Sequence, residues 1–151
     1  MSDIEKEYKK FQDDTVNKFL SIIKNLPEGM FPAPNKENWD STGDIDWLYF
    51  GENEELHFAI HYGVTQDESI VGTYERPCVK HIECYEIRQC PGGYWDPPDY
   101  DYFCFASVDT IHEAIFQTVA RNIREMVNTA CMVAEHEEHE KFLKEHPNEN
   151  N

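Results

Sequence analysis

The segment Pro91-Gly92-Gly93-Tyr94-Trp95-Asp96-Pro97-Pro98-Asp99-Tyr100-Asp101-Tyr102-Phe103-Cys104-Phe105 divides the chain. Before it the sequence alternates as strands do; after it the apolar spacing is helical. Gly92-Gly93 admits a tight turn with positive φ. Pro97 and Pro98 each fix φ, lack an N–H donor and push the preceding residue toward extended backbone. Tyr100–Phe105 then reads as a closing strand. The segment is thus a rigid, aromatic and acidic hinge between a sheet and a helix.

Working back from the hinge, Val79–Arg88 alternates in two sets. Val79, His81, Glu83, Tyr85 and Ile87 form one, and Lys80, Ile82, Cys84, Glu86 and Arg88 the other. Neither is cleanly apolar, which predicts a strand partly covered on both faces. Ser69–Glu75 predicts a strand interrupted by Gly72 and ended by Arg76-Pro77, and Thr65–Glu68 a turn. Glu55–Val64 predicts a clear strand, with Leu56, Phe58, Ile60 and Tyr62 on one face and His57, Ala59 and His61 on the other. Gly51-Glu52-Asn53-Glu54 turns it back to a short strand over Asp46–Phe50. Residues 27–44, rich in Pro, Asn, Asp and Gly, predict a long connection, either an Ω-type lid or a plain linker, pinned by Phe31 and Trp39.

Helices flank these strands. Ile4, Tyr8, Phe11, Thr15, Phe19, Ile22, Ile23 and Leu26 recur at three- and four-residue spacing and predict an amphipathic helix over residues 3–26. Pro27 and Gly29 stop it. After the hinge, Ser107 or Asp109 is expected to open a second helix, with Ile111, Ile115, Val119, Ile123, Met126, Val127, Ala130, Val133 and Ala134 in one stripe. No Gly or Pro occurs from 108 to 146. One helix of more than 30 residues is expected, or two joined near Asn128-Thr129. The predicted fold class is α+β: a mostly antiparallel meander of four or five strands, with an N-terminal helix and a long C-terminal helix (or helix pair) packed on one face. Residues 1–147 are expected to form a single α+β domain, and 148–151 a disordered tail.

The chain of 151 residues carries a formal net charge of −17. Nucleic-acid binding needs a basic patch for phosphates, so direct binding of nucleic acid is not expected. Anionic membrane surfaces are disfavoured for the same reason. The acidity is uneven: residues 31–76 hold ten acids against two bases, Lys36 and Arg76. No apolar run reaches bilayer length. The start of the chain is charged rather than signal-like, and the five cysteines have no pairing pattern, which predicts reduced thiols in a cytoplasm.

Chemistry-bearing motifs are few. Cys78, Cys84, Cys90 and Cys104 lack the C-x₂-C spacing of a zinc site. His57 and His61 are four apart on a strand, which separates them by about 13 Å, too far for one ion. His136 and His139 lie among glutamates on a polar helix end. No nucleophile elbow, phosphate loop or catalytic cysteine signature is present. The sequence therefore assigns no catalytic residue, no metal ligand and no cofactor.

Binding is left as the expected activity. Tyr94 and Trp95 are common interface residue types, and Asp96, Asp99 and Asp101 beside them suit Arg or Lys on a partner. Asp40, Asp44, Asp46, Glu52, Glu54 and Glu55 supply the second acidic set. The segment Gly92–Asp101 also resembles small, mostly uncharacterised phage-encoded proteins, in which a Pro/Gly/aromatic turn runs into Pro-Pro and an acidic strand. The resemblance implies an origin in a phage or mobile element. The expectation is a non-enzymatic acidic inhibitor, decoy or nucleic-acid mimic, acting in a host cytoplasm, that occupies the basic surface of a host defence protein. A homodimer through the C-terminal helix is a further expectation. The alternative is a small-ligand protein, for instance a sponge for a nucleotide signal, with Arg76, His81, Arg88, Tyr94 and Trp95 as contacts. A metal-dependent hydrolase ranks third.

Overall fold

A computed structural model describes residues 3–146. The elements run α1 (Asp3–Lys24), β1 (Pro34–Thr42), β2 (Ile45–Phe50), β3 (Leu56–Ser69), β4 (Gly72–Cys90), β5 (Asp99–Val108) and α2 (Ile111–Glu145). The strands form one antiparallel sheet in sequence order, β1 to β5. The architecture is α+β.

The core lies between the helices and one face of this meander. Alternation along β2 and β3 sends Leu48, Phe50, Leu56, Phe58, Ile60 and Tyr62 to that face. Ile82 and Cys84 join them from β4, Val16, Phe19 and Ile23 from α1, and Ile111, Ala114 and Ile115 from α2. Phe19, Phe50 and Phe58 meet with ring centroids 5.1–5.9 Å apart. Phe31 packs on Phe50 at 5.2 Å and on Phe58 at 5.8 Å. It pins the α1–β1 connection as expected. The side chain of Trp39 and the tail at 148–151 lie outside the described set.

Three strand boundaries differ from the sequence reading. Residues 34–42 were expected in a connection, but they form β1, an irregular strand whose pairing to β2 shifts between Pro34 and Trp39. Apart from Pro34 and Trp39 the residues of β1 are polar and carry no alternation, so pairing with β2 creates this strand. The turn expected at 65–68 does not form. β3 continues to Ser69, and the reversal falls at Ile70-Val71, closed by Gly72 with φ 132°. The Ser69 hydroxyl donates to the Gly72 carbonyl at 3.0 Å. Nor does Arg76-Pro77 end β4: Pro77 pairs with Val64, while β4 meets β5 only from Ile82 onward. The other edge of β4 is unpaired at Pro77, so its missing N–H breaks no ladder there. The ends of β3 and β4 thus form a two-stranded arm with Ile70 and Val71 exposed at its tip.

α2 is a single helix of 35 residues, about 52 Å long at about 1.5 Å per residue. Thr110, rather than Ser107 or Asp109, is its N-cap. The Thr110 hydroxyl accepts from the Glu113 N–H at 3.2 Å, and Glu113 accepts from the Asp109 N–H at 3.3 Å. Only its first turns are buried. The remainder projects, with Ile123, Met126, Val127 and Val133 exposed along it. Among the described residues no helix is long and apolar enough to cross a membrane.

Candidate functional site

Two surfaces gather the residues with chemical or recognition potential. The first is the hinge. Cys90 pairs with Asp99 at the last rung of β4 and β5, so residues 91–98 project as the loop between these strands. Tyr94 and Trp95 sit at its tip, 91% and 88% exposed. Their rings meet edge to face at 4.8 Å. Asp96, Asp99 and Asp101 are exposed beside them, and Asp99 accepts from the Tyr100 N–H at 2.7 Å. No lysine or arginine occurs from residue 89 to 107. The cation nearest in sequence, Arg88, is held by Glu86 at 3.2 Å and lies 5.1 Å from the Phe103 ring centre.

The second acidic set is only partly at the surface. Asp40, Asp44, Glu52, Glu54 and Glu55 are exposed around the β1–β2 and β2–β3 turns. Tyr49 donates to Asp40 at 2.9 Å, Tyr8 donates to Asp44 at 3.2 Å, and Glu55 accepts from the Asn53 N–H at 3.0 Å. Asp46 is different. It is 2% exposed and accepts from the Tyr62 hydroxyl at 2.8 Å. It shares the parity of Leu48 and Phe50, which carries it under α1, and it offers nothing to a partner.

The alternative ligand set is not assembled. Arg76 and Arg88 lie on the same strand, and the twelve-residue separation corresponds to about 40 Å of extended chain. Arg76 is held by Asp67 at 3.0 Å on the arm, and Arg88 by Glu86 at the opposite end. Arg76 and Arg88 are thus each paired with a carboxylate at opposite ends of β4 and do not come together at Tyr94 and Trp95. Arg121 of α2 also pairs with Glu86. Burial alone would raise the Glu86 carboxyl, but Arg88 and Arg121 hold it below the usual carboxylate range.

The second surface is the sheet face turned away from the helices. Trp47 and Tyr49 of β2, His57 and His61 of β3, and His81, Glu83 and Tyr85 of β4 share it. All are partly exposed. Tyr49 packs edge-on to His57 at 4.6 Å, and Trp47 lies 6.0 Å from Tyr85. His61 and His81 are register partners with stacked rings 4.1 Å apart. Both approach Glu83, His81 Nε2 at 3.4 Å. The sequence placed His57 and His61 on one face and correctly separated them, but it missed His81 as the neighbour of His61. That pairing depends on the position of the β3–β4 turn together with a one-residue register shift between His61 and Tyr62.

His57 also carries a pH consequence. Burial lowers its pKa below 6.5, against an opposing pull from Glu54, and its Nε2 is buried without a hydrogen-bond partner. A histidine with a depressed folded pKa binds fewer protons when folded than when unfolded. Its contribution to stability is therefore complete above the unfolded value and declines as pH falls through about 6.5. Urea denaturation between pH 7.5 and 5.5 (chosen around that value) should show this decline. His57→Phe should flatten it.

No protein-family model matches the chain, and no curated protein or solved structure does either.

Proposed function

We propose that the protein is a non-enzymatic binding protein whose acidic, aromatic β4–β5 loop occupies a basic surface of a partner protein. The observation that carries this reading is the tip pair, Tyr94 and Trp95, 91% and 88% exposed beside Asp96, Asp99 and Asp101. Two large rings held in water are unfavourable unless a partner covers them, and Trp and Tyr are common anchors of interfaces. Carboxylates at the rim select a basic partner and speed encounter. The acidic turns bearing Asp40, Asp44, Glu52, Glu54 and Glu55 extend the negative field. In keeping with the resemblance of the Gly92–Asp101 segment to phage-encoded proteins, the partner class is a basic protein of a host cell, such as a nucleic-acid-handling defence factor.

Capture from host lysate tests the reading. The chain should retain a basic protein at low salt and release it as salt rises past about 0.5 M, where charges separated by more than a few ångströms are screened. Trp95→Ala should weaken the complex about thirtyfold, the effect of losing an anchor worth about 2 kcal/mol. Reversing Asp96, Asp99 and Asp101 to lysine should abolish capture. A partner retained equally by all three proteins, or indifferent to salt, sinks the reading.

A further inference from the structure

The histidine pair on the open sheet face has no part in the binding proposal above, and it is arranged in an unusual way. His61 and His81 stack almost parallel, 4.1 Å apart and inclined by 13°. Their Nε2 atoms converge on the same carboxylate oxygen, Glu83 Oε1. His61 Nε2 is buried and touches that oxygen without the alignment of a hydrogen bond. A neutral imidazole with its proton on Nδ1 presents a lone pair at Nε2, so two ring nitrogens and one carboxylate oxygen can act here as three donor atoms gathered at one place.

A cation placed among them would be held by two neutral imidazoles, and Glu83 would supply the negative charge. The three donor atoms all lie within 4.8 Å of one another. Donors bound at about 2.0–2.2 Å around a tetrahedral ion stand about 3.4 Å apart, so closing the site requires the stacked rings to rotate about their side-chain torsions until their in-plane lone pairs meet at one point. Two imidazoles and one carboxylate are ligands for zinc and its first-row neighbours rather than for magnesium or calcium, which prefer oxygen. Tyr85 donates to the other oxygen of Glu83. That is the contact expected of a group that orients a ligating carboxylate. His81 and Glu83 remain open to solvent, with 41% and 25% of their side chains exposed, so an ion can enter.

We propose that His61, His81 and Glu83 bind one divalent cation of the zinc class on the open face of the sheet, oriented by Tyr85. Three protein ligands leave a fourth position of the tetrahedron to solvent or to a ligand atom.

The test uses the full chain, stripped with chelator and titrated with Co²⁺ and then Zn²⁺. One equivalent of Co²⁺ should bind with the visible bands of a low-symmetry nitrogen–oxygen site, and Zn²⁺ should displace it. A tenfold excess of Mg²⁺ should not. His81→Ala and Glu83→Gln should each weaken binding at least a hundredfold, and Tyr85→Phe about tenfold. The double change His136→Ala and His139→Ala, at the exposed helix end, should leave it unaltered. X-ray absorption on the zinc-loaded wild-type chain, which needs no variant to fold, should report two imidazole nitrogens and a carboxylate oxygen. The proposal is overturned by absence of Co²⁺ binding at micromolar concentration. It is equally overturned by undiminished binding in His81→Ala and Glu83→Gln, by loss of binding in the His136/His139 double variant, or by sulfur in the ligand shell.

Discussion

Phe58→Ala is expected to remove about 3–5 kcal/mol of stability, enough to consume much of the roughly 5–15 kcal/mol that a domain of this kind possesses. Phe58 is fully buried. It touches Phe19 of α1 at 5.1 Å, Phe50 of β2 at 5.5 Å and Phe31 of the α1–β1 connection at 5.8 Å. One ring therefore joins the helix layer, the sheet and the connection. Truncating it loses the transfer free energy of the benzyl group and leaves a cavity that three rigid neighbours cannot close. Phe103 is the internal control. It lies on β5, 44% exposed, beside Arg88 and Arg121. Phe103→Ala should cost about 1 kcal/mol, the common value for a partly buried position. Urea denaturation of both variants decides the matter. Equal losses would mean that the core is not centred on Phe58.

The second large effect concerns the buried pair Asp46 and Tyr62. Both are 2% exposed, and the Tyr62 hydroxyl donates to Asp46 Oδ2 at 2.8 Å. Burial comes first in raising the Tyr62 pKa, followed by the Asp46 hydrogen bond, so the phenol stays protonated as the donor. Tyr62→Phe removes that donor and leaves a carboxylate away from water without it. The expected cost is about 2–3 kcal/mol, typical of a hydrogen bond to a charged group. Asp46→Leu combined with Tyr62→Phe should cost less than the two single changes together, because no unpaired charge is then left inside. A double-mutant cycle in urea reads this coupling. Strict additivity, or a Tyr62→Phe cost below about 0.5 kcal/mol (the size of an ordinary surface change), would contradict the pairing.

Much of the fold was legible because hydrophobic period carries it. The four-residue spacing of Phe11, Thr15, Phe19 and Ile23 marked α1, and the Ile111–Ile115–Val119 stripe marked α2. The Leu56–Phe58–Ile60–Tyr62 alternation marked the centre of the sheet. What failed depended on pairing across space. β1 has no periodic signal, because its residues need only pair with β2 at an edge. Thr65–Glu68 and Arg76-Pro77 have the composition of turns, but a long hairpin arm absorbs both. The turn at Ile70-Val71 alone would set Lys80 opposite His61; the one-residue register shift between Tyr62 and His61 brings His81 there instead. For that reason the cluster with Glu83 was invisible without strand pairing. Asp46 was grouped with the surface acids by its charge. Its shared parity with Leu48 and Phe50 was the available sign that it points inward.

The prominence of Tyr94 and Trp95 was legible as a residue type but not as an exposure. Gly92-Gly93 and Pro97-Pro98 show a turn, yet whether a turn folds back on the core depends on what lies beneath it. Here residues 91–98 lie past the last β4–β5 rung, Cys90–Asp99, and both rings face water.

The central claim is that this loop is a recognition surface read by charge and ring contact together. Its most direct test is isothermal titration of the captured partner with wild-type protein and with the Tyr94→Ala/Trp95→Ala double variant, each across a range of salt. The account predicts wild-type affinity that falls steadily with salt, and a loss of at least about a hundredfold in the double variant at low salt. Affinity that ignores salt and survives removal of both rings would place recognition elsewhere on the molecule.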